Sequence, residues 1–241
     1  MMNISLNESH PIAVPASRVA RLKLGLIRPW PASDEAVRLL ALYRGAPRLI
    51  RTELRLRLNI CPFEEVERRV PADARVLDLG CGYALLSNLI ALGSPARQVT
   101  GMDTEPRRVQ VANATVGSRA NARFVQGDVT VEPFDQPTCI VMNDVLHHIP
   151  HDKQIPLLRK CFASLPPGGL LLIKDVDKDV MWKYLFNYLH DIVKNRHMPI
   201  FCLDSAVLGA LLDVVGFHVE VLHLDTGYPY SHVLYLCRKP A

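Results

Sequence analysis

From Arg75 to its end, the chain alternates short apolar runs with amphipathic stretches, and this alternation constrains the fold most strongly. Strands that alternate with helices need crossover connections, which give a mostly parallel sheet with helices on both faces. The last two runs are joined by only seven residues, so they are predicted to pair as an antiparallel hairpin. The seven strand-like runs are RVLDLG, QVTGMD, ARFVQG, CIVMND, LLLIKD, HVEVLHL and HVLYLCR. The predicted fold class is therefore a doubly wound α/β sheet.

The first 70 residues differ in pattern from the rest. Residues 1–31 contain four prolines and a glycine, which favour a loose or extended arm. Helical patterns at 33–43, 47–59 and 62–69 then predict a helical cap. We expect one main domain over 71–241, with a helical insertion at about 178–202 whose apolar face covers an edge of the sheet.

Composition narrows the class of protein. Apolar residues make up 49% and charged residues 22%, as in ordinary soluble globules. The apolar runs are far shorter than the roughly 20 residues that span a bilayer. The N-terminus lacks the basic start and apolar core of a secretory signal, so a cytoplasmic location is expected. Six scattered cysteines without C-x-x-C spacing or nearby histidines predict free thiols and no metal site.

The net charge of +4 is concentrated in the first 70 residues. The stretch 48–57 carries Arg48, Arg51, Arg55 and Arg57 between leucines. This pattern is typical of a solvated helix face. The alternative is a surface for an acidic substrate, an acyl-carrier partner or a membrane. The chain is not basic enough to require nucleic acid as a partner.

The stretch RVLDLGCGYALLSNLIA combines a strand, a glycine turn and a helix start. The strand ends at Leu79, and Gly80 and Gly82 allow a sharp turn with a ligand close to the backbone. Ala84 then opens the helix. Asp78 before the turn would repel a pyrophosphate, but it suits a cation such as the methionine end of S-adenosylmethionine, which carries an ammonium and a sulfonium.

Polar residues also follow the next three strands. Asp103 ends the second strand, where a carboxylate can accept hydrogen bonds from both ribose hydroxyls. Asp128 follows the third strand and can accept from an adenine amino group, with the Val129 N–H nearby. Asn143 and Asp144 follow the fourth strand. Acids at successive strand ends in this order indicate a nucleoside site rather than solvated turns.

The motifs VLDLGCGYALLS, VTGMDTEP, ARFVQGDV, NDVLHHIP and LPPGGLLLIKD resemble those of the class I S-adenosylmethionine-dependent methyltransferases. The resemblance covers about 71–239, and DVLHHIP is similar to the small-molecule and lipid-modifying branch. The family implies a Rossmann-like seven-stranded sheet with a reversed last strand. One departure is Ala84, where many members have a third glycine; alanine suits a helix start, so we interpret this as neutral.

The resemblance also implies the roles of individual residues toward S-adenosylmethionine. Gly80 and Gly82 would contact its methionine part, and Asn143 its ammonium. Asp103, with Thr104 beside it, would hold the ribose. Asp128 and Val129 would hold the adenine, and Asp78 would support the methionine end.

Methyl transfer from a sulfonium requires alignment of the acceptor and, for some acceptors, a base. Candidate catalytic residues lie at the ends of strands four and five and on the hairpin loop. The leading candidates are His148, Asp144, His232 and Lys174, and the others are His147, Asp175, Asp177, Tyr228 and Tyr230. The alternative for His147 and His148 is that they pack where the next helix begins. The alternative for His232 is that it is a surface residue of its strand. A magnesium site of Asp144, Asp175 and Asp177 resembles the catechol-type arrangement only loosely, so no metal is predicted.

The insertion and the cap are expected to cover the acceptor pocket, with Trp182, Tyr184, His190 and Tyr228 as acceptor-binding residues; a purely core role is the alternative. Such a lining suits an aromatic, polyketide or acyl acceptor. We therefore expect methylation of a small organic acceptor, free or carrier-bound, at oxygen or else at carbon. Lipid methylation at a membrane surface and a non-catalytic cofactor-binding module are the alternatives. The absence of NPPY or DPPY at strand four disfavours nucleic-acid bases as acceptors.

Overall fold

The computed structural model describes residues 19–21, 34–176, 201–224, 228 and 231–241. The predicted insertion helix lies almost entirely outside these residues. So do five of the predicted site residues, which are Asp177, Trp182, Tyr184, His190 and Tyr230.

The described strands are β1 Val19–Arg21, β2 Arg75–Leu79, β3 Gln98–Asp103, β4 Ala122–Gln126, β5 Cys139–Asn143, β6 Leu170–Val176, β7 His218–His223 and β8 His232–Arg238. They form one mixed sheet in the order β1-β7-β8-β6-β5-β2-β3-β4 and include all seven predicted strands. β8 pairs antiparallel with both β6 and β7, and the other pairings are parallel. The predicted hairpin is thus confirmed, with its second strand inserted into the sheet.

Strand β1 departs from the sequence prediction. Residues 19–21, expected to belong to a loose or extended arm, pair in parallel with Val221–His223 at the edge of the sheet. Three residues are too few to show a period of two in the sequence, so this strand could not be recognised from its pattern.

Helices flank the sheet on both faces, as predicted. Helix α5 begins with Pro106 in its first turn, and the Glu105 side chain accepts a hydrogen bond from the Arg107 N–H. Helix α7 (Ser205–Val215) is followed by Gly216, whose φ of 116° ends the helix in a backbone conformation that favours glycine. The helices are α1 Asp34–Ala41, α2 Arg48–Ile60, α3 Phe63–Glu67, α4 Leu85–Gly93, α5 Pro106–Ala114, α6 His151–Ser164 and α7 Ser205–Val215, with a short 3₁₀ helix at Leu146–His148.

Two buried clusters lie on the two faces of the sheet. One joins α4 and α5 to the sheet and includes Leu39 of α1 and Leu54 and Leu58 of α2. The other packs α6 and α7 against β5, β6 and β8. The helices of the cap therefore share a core with α4. Their packing holds them beside the carboxyl ends of the parallel strands, where ligands bind in open α/β sheets.

A buried arginine fixes the junction between the cap and the sheet. Arg97, 5% exposed, forms an ion pair with Glu67 of α3 and donates to the carbonyl oxygens of Val70, Pro71 and Ile90. Such a buried cation is stable only when its donors are satisfied, as they are here. Within the described residues, no helix has the length and apolar character needed to cross a membrane.

Candidate active site

The glycine turn after β2 has the geometry that its sequence predicts. Gly80 and Gly82 have φ values of 72° and 57°, and the N–H groups of Gly80 and Cys81 both donate to the Met102 carbonyl oxygen. A Cβ on Gly80 would lie 2.5 Å from Cγ2 of Val145, whereas a Cβ on Gly82 would have no atom within 4 Å. Gly80 is thus required by a close approach within the protein, and Gly82 leaves its backbone open to a ligand.

Ala84 does not simply open the next helix. It is the residue before α4, fully buried, and it adopts a left-handed conformation with φ 62° and ψ 32°. This conformation costs a residue with a Cβ about 1 kcal/mol or more. The interpretation of alanine as a neutral helix start is therefore corrected, because position 84 has the backbone that the third glycine of the family would adopt without strain.

Asp103 connects two turns at the carboxyl end of the sheet. Its Oδ2 accepts a hydrogen bond from the Gly82 N–H at 2.8 Å, and its Oδ1 accepts one from the Glu105 N–H at 2.9 Å. The residue is 5% exposed and lines the cleft together with Thr104. These two bonds fix the carboxylate at the point where β2 and β3 end side by side.

Asp78 lies behind the turn. It is 2% exposed, accepts a hydrogen bond from Ser87 Oγ and borders a small cavity with Gly80 and Asn143. Burial raises the pKa of its carboxyl to about 7. It can therefore support the turn, but it does not line the main cleft.

At the end of β5, the side-chain amide of Asn143 has a hydrogen-bonded nitrogen and an open oxygen. Its Nδ2 donates to Asp144 Oδ2 at 3.0 Å. Its Oδ1 is buried and has no hydrogen-bond partner among the described residues. Buried acceptors are almost always paired in native proteins, so this oxygen is suited to a donor from a ligand or from water.

Asp128 lies exposed at the rim of the cleft, with Val129 buried beside it. Its Oδ1 accepts from both the N–H and the hydroxyl of Thr130 at 2.8 Å. These bonds lower the pKa of the Asp128 carboxyl. The side chain is therefore an anionic acceptor in a fixed orientation.

One cleft, of about 360 Å³, brings most of the predicted site together. Lys174 lies outside its lining. Another groove, of about 400 Å³, opens on the sheet near Arg75 and Arg123 and contains none of the predicted site residues. The predicted residues that line the cleft are Gly80, Gly82, Asp103, Thr104, Asp128, Val129, Asn143, Asp144, His147, His148 and His232.

Asp144 is the centre of a charged cluster at the base of the cleft. Its Oδ1 accepts from Lys174 Nζ at 2.5 Å, and its Oδ2 lies 3.4 Å from the Arg57 guanidinium and 3.8 Å from Cys61 Sγ. Burial opposes ionisation of this carboxyl, but Lys174 and Arg57, followed by His232, hold its pKa well below the usual range. Lys174 itself is fully buried.

His147 and Asp175 were predicted as separate catalytic candidates, and in the structure their side chains are in contact. His147 Nδ1 forms a short hydrogen bond with Asp175 Oδ1, and the His147 N–H donates to Asp175 Oδ2 at 3.3 Å. His147 is 4% exposed and lines the cleft. The two residues are 28 apart in the chain, and only the pairing of β5 with β6 places them side by side.

The two other histidines of the cleft have different surroundings. Burial, followed by the charge of His147, lowers the pKa of His148 to about 4, so His148 is neutral at physiological pH. His232 is 2% exposed, which excludes the surface-strand alternative. Its Nε2 lies 2.7 Å from the Ile60 carbonyl oxygen. The Tyr228 ring packs edge-on against its imidazole, with 5.5 Å between the ring centroids.

Within the described residues, no three His, Cys, Asp or Glu side chains are grouped as metal ligands. The six cysteines are free thiols. Of the three aspartates considered as magnesium ligands, the structure describes Asp144 and Asp175. Each of these two accepts hydrogen bonds from other residues of the protein.

Comparison with known proteins identifies the family. The family described as "Methyltransferase domain" matches residues 51–222. A trans-aconitate 2-methyltransferase of Paracidovorax citrulli is 36% identical over 122 residues, which are 48% of this chain and 45% of that protein. A ubiquinone biosynthesis O-methyltransferase of Xylella fastidiosa is 34% identical over 179 residues, which are 68% of this chain and 69% of that protein. The match therefore spans less than half of the first relative and about two thirds of the second.

Solved structures agree on the fold. Human N-acetylserotonin methyltransferase, in complex with SAM, superposes with a TM-score of 0.62 at 20% identity, over 80% of this chain and 55% of that chain. The matching family covers most of the chain, and the sheet order and the glycine turn agree with it. The chain belongs to the class I S-adenosylmethionine-dependent methyltransferases.

Proposed function

We propose that this chain transfers a methyl group from S-adenosylmethionine to a hydroxyl oxygen of a small organic acceptor. The observation that carries the proposal is the position of His147, which lines the same cleft as Asp103 and Asn143 and is hydrogen-bonded to Asp175 outside that lining. A carboxylate-held histidine supplies a base for a hydroxyl group. In this proposal the main domain, 71–241, carries out catalysis. The N-terminal arm and cap, 1–70, and the insertion at about 178–202 would cover the acceptor pocket.

The described residues fit S-adenosylmethionine. Asn143 Oδ1 is a buried acceptor without a partner among them, as an ammonium group requires. The backbone at Gly82 is open for the methionine part, and Asp103 has carboxylate lone pairs for the ribose. We assign Asp128 and Val129 to the adenine, and Thr104 to the ribose end of the same wall.

The cofactor, when bound, supplies a methyl group on a positively charged sulfur. The protein must therefore orient the acceptor, exclude water and accept a proton. We assign the proton to His147. Asp175 would hold the imidazole in one orientation and stabilise its charged form, as a carboxylate does for a histidine base.

The other catalytic candidates are better suited to supporting roles. Asp144 is ionised, and Lys174 and Arg57 already donate to it, so it is a weak base. Lys174 is fully buried in the same pair. His232 lies against the Ile60 carbonyl oxygen and therefore anchors α2. His148, neutral and partly exposed beside His147, is suited to contact the acceptor.

The lining of the cleft near the histidines favours an acceptor with an apolar body. Ile60, Ile149, Pro150 and Val176 supply apolar surface near the histidines. An aromatic or polyketide acceptor fits this lining, as does an acyl chain on a carrier. Tyr228 reaches this region through its contact with His232. The free cysteines fit a reducing compartment such as the cytoplasm.

A lipid acceptor at a membrane surface is the second candidate. Leu49 and Leu56 of α2 are 85% and 51% exposed, and Arg48 and Arg55 on the same helix are also exposed. Apolar and basic residues on one helix suit an anionic lipid surface. Co-sedimentation with vesicles tests it: vesicles containing phosphatidylglycerol should bind the protein, and equal recovery with and without such vesicles would exclude this candidate.

The proposed function is tested by transfer of a labelled methyl group to a panel of phenols, catechols, hydroxy acids and carboxylic acids. Transfer to a hydroxyl group that requires His147 supports the proposal. Transfer only to carboxylates, which are already ionised, would contradict the need for a base. Binding of S-adenosylhomocysteine by calorimetry without turnover on any acceptor, including acyl carriers, would favour a non-catalytic module.

A further inference from the structure

The hydroxyl group of a cap residue is hydrogen-bonded to the glycine turn. Tyr43 follows α1, is 1% exposed, and donates to the Tyr83 carbonyl oxygen at 2.8 Å. Tyr83 lies between Gly82 and Ala84, which both have left-handed backbones. The bond therefore joins the cap to the part of the turn with the most unusual backbone.

A buried network fixes the direction of this hydroxyl group. Asn88 of α4, fully buried, donates through Nδ2 to the Tyr43 oxygen at 2.8 Å and to Thr115 Oγ1 at 2.9 Å. Arg119 donates to Asn88 Oδ1 at 2.6 Å, which fixes the orientation of the amide. Because the Tyr43 oxygen accepts from Asn88, its own proton is directed to the Tyr83 carbonyl oxygen.

The turn held in this way is the one that contacts Asp103. The Gly82 N–H donates to Asp103 Oδ2, and the Ala84 N–H donates to the Cys81 carbonyl oxygen at 2.8 Å. A rotation of the Tyr83–Ala84 peptide would change the backbone on both sides of it. The Ala84 N–H belongs to the same peptide, so the rotation would also break its bond to the Cys81 carbonyl oxygen and loosen the turn that presents the Gly82 N–H to Asp103.

We propose that Tyr43 is a positioning residue for the cofactor: its hydroxyl group holds the Tyr83 carbonyl oxygen, and thereby the glycine turn, in the conformation that binds S-adenosylmethionine. This inference rests on the proposed function, because it assigns the turn to the cofactor. Tyr43 does not line the cleft and acts only through the turn. The helical cap would then contribute to cofactor affinity as well as covering the acceptor.

The test is Tyr43→Phe, which removes one oxygen atom, with Tyr235→Phe as a matched control. Tyr235 is also 1% exposed and donates to a backbone carbonyl oxygen, that of Ser205 in α7, away from the turn. In calorimetry with S-adenosylhomocysteine, Tyr43→Phe should raise Kd about three- to tenfold, the range for one lost hydrogen bond, and Tyr235→Phe should not. Turnover at saturating cofactor should stay near the wild-type value.

Hydrogen exchange of the peptide covering 80–86, measured without ligand, gives an independent result. Tyr43→Phe should speed exchange there, and Tyr235→Phe should not. If Tyr43→Phe damages the fold, adding Ala84→Gly should restore cofactor affinity, because glycine adopts the left-handed backbone without strain. Failure of this rescue would indicate a general loss of structure and overturn the inference.

The outcomes also separate this inference from the proposed function. Wild-type protein that binds S-adenosylhomocysteine, with a Tyr43→Phe variant of equal affinity and exchange, overturns the inference alone. Wild-type protein that does not bind it overturns the assigned cofactor site. In that case, hydrogen exchange at 80–86 that is the same in Tyr43→Phe and in wild type would also show that Tyr43 does not hold the glycine turn.

Discussion

The guanidinium of Arg57 lies 3.4 Å from the Asp144 carboxylate, so helix α2 is tied to the end of strand β5. From the sequence pattern, Arg57 was interpreted as part of one basic helix face with Arg48, Arg51 and Arg55. In the structure Arg48 and Arg55 are exposed, and Arg57 faces the cleft. The arginine-rich pattern therefore combines two roles on one helix, an outer basic surface and an inner contact with the site.

Replacing Arg57 with methionine should lower the free energy of unfolding by about 1 kcal/mol, because the pair is partly exposed and Asp144 keeps Lys174. Arg55→Met on the exposed side of α2 should change it by less than about 0.5 kcal/mol. Urea denaturation of both variants measures the difference. Equal effects would show that the Arg57–Asp144 contact does not stabilise the cap.

Asp103→Asn should weaken binding of S-adenosylmethionine about tenfold or more. The substitution removes a charge and places an amide N–H₂ opposite the Gly82 or the Glu105 N–H, and charge-assisted hydrogen bonds are each worth about 1.5–3 kcal/mol. Calorimetric titration measures the loss. Asp135→Asn is the control, since Asp135 is exposed and outside the cleft. Unchanged affinity in Asp103→Asn would remove this residue from the proposed ribose site.

Alanine at the two turn glycines should have unequal effects. Gly80→Ala combines a strained backbone with a Cβ 2.5 Å from Val145 Cγ2, so it should cost roughly 2–4 kcal/mol of stability. Gly82→Ala has only the strain, about 1 kcal/mol, but its methyl group would enter the open side of the turn. It should therefore weaken cofactor binding more than it lowers Tm. Thermal unfolding with and without S-adenosylhomocysteine separates the two effects, and similar Tm values for both variants would contradict the close approach at Gly80.

Two buried groups should give opposite pH dependences of stability. The Asp78 pKa rises from about 3.9 in the unfolded chain to about 7, so the stability that its protonated form contributes is present below pH 4 and lost as pH rises to 7. The His148 pKa falls from about 6.5 to about 4, so its contribution is present above pH 6.5 and lost as pH falls to 4.

Urea unfolding at pH 5 and pH 8 tests both signs. From pH 5 to pH 8, Asp78→Asn should gain stability relative to wild type, by up to about 3 kcal/mol. His148→Asn should lose stability relative to wild type over the same interval. A difference between variant and wild type that is the same at both pH values would show that the group has an ordinary pKa.

Removal of the proposed base should affect turnover and leave the cofactor in place. His147→Asn should lower kcat about 10²- to 10⁴-fold with a phenolic acceptor. Asp175→Asn should lower kcat less, and Kd for S-adenosylhomocysteine should change little in both variants. Steady-state kcat at saturating cofactor and acceptor, determined across pH 6–9, provides the measurement. A His147→Asn variant with wild-type kcat would exclude it as the base.

The sequence predicted the parts of the molecule that depend on local pattern. The seven strands and the glycine turn follow from periodicity and from the conformational freedom of glycine, and the acids at strand ends follow from the parallel topology. The three residues of β1 are stabilised by the edge of β7 rather than by their own pattern. The backbone of Ala84 is decided by its neighbours in space, which include the Tyr43–Tyr83 bond.

The positions of Asp103 and Asn143 on the cleft were predictable, because each residue lies at the carboxyl end of a parallel strand. The contacts between pairs of cleft residues were not predictable. His147 and Asp175 are in contact because β5 and β6 are adjacent strands. Lys174, together with Arg57 from the cap, lowers the pKa of Asp144 and so makes it a weak base. Contacts between residues so far apart in the chain leave no signal in a single sequence.

The position of β8 between β6 and β7 affects how the protein is made. Among the strands that the structure describes, β8 is synthesised last, and it alone joins β7 and β1 to the rest of the sheet. A nascent chain on the ribosome can therefore pair β2 to β6, whereas β7 has no neighbour on that side until β8 emerges. In the cell, a stalled or shortened product would expose the edge of β6 to aggregation and to chaperones.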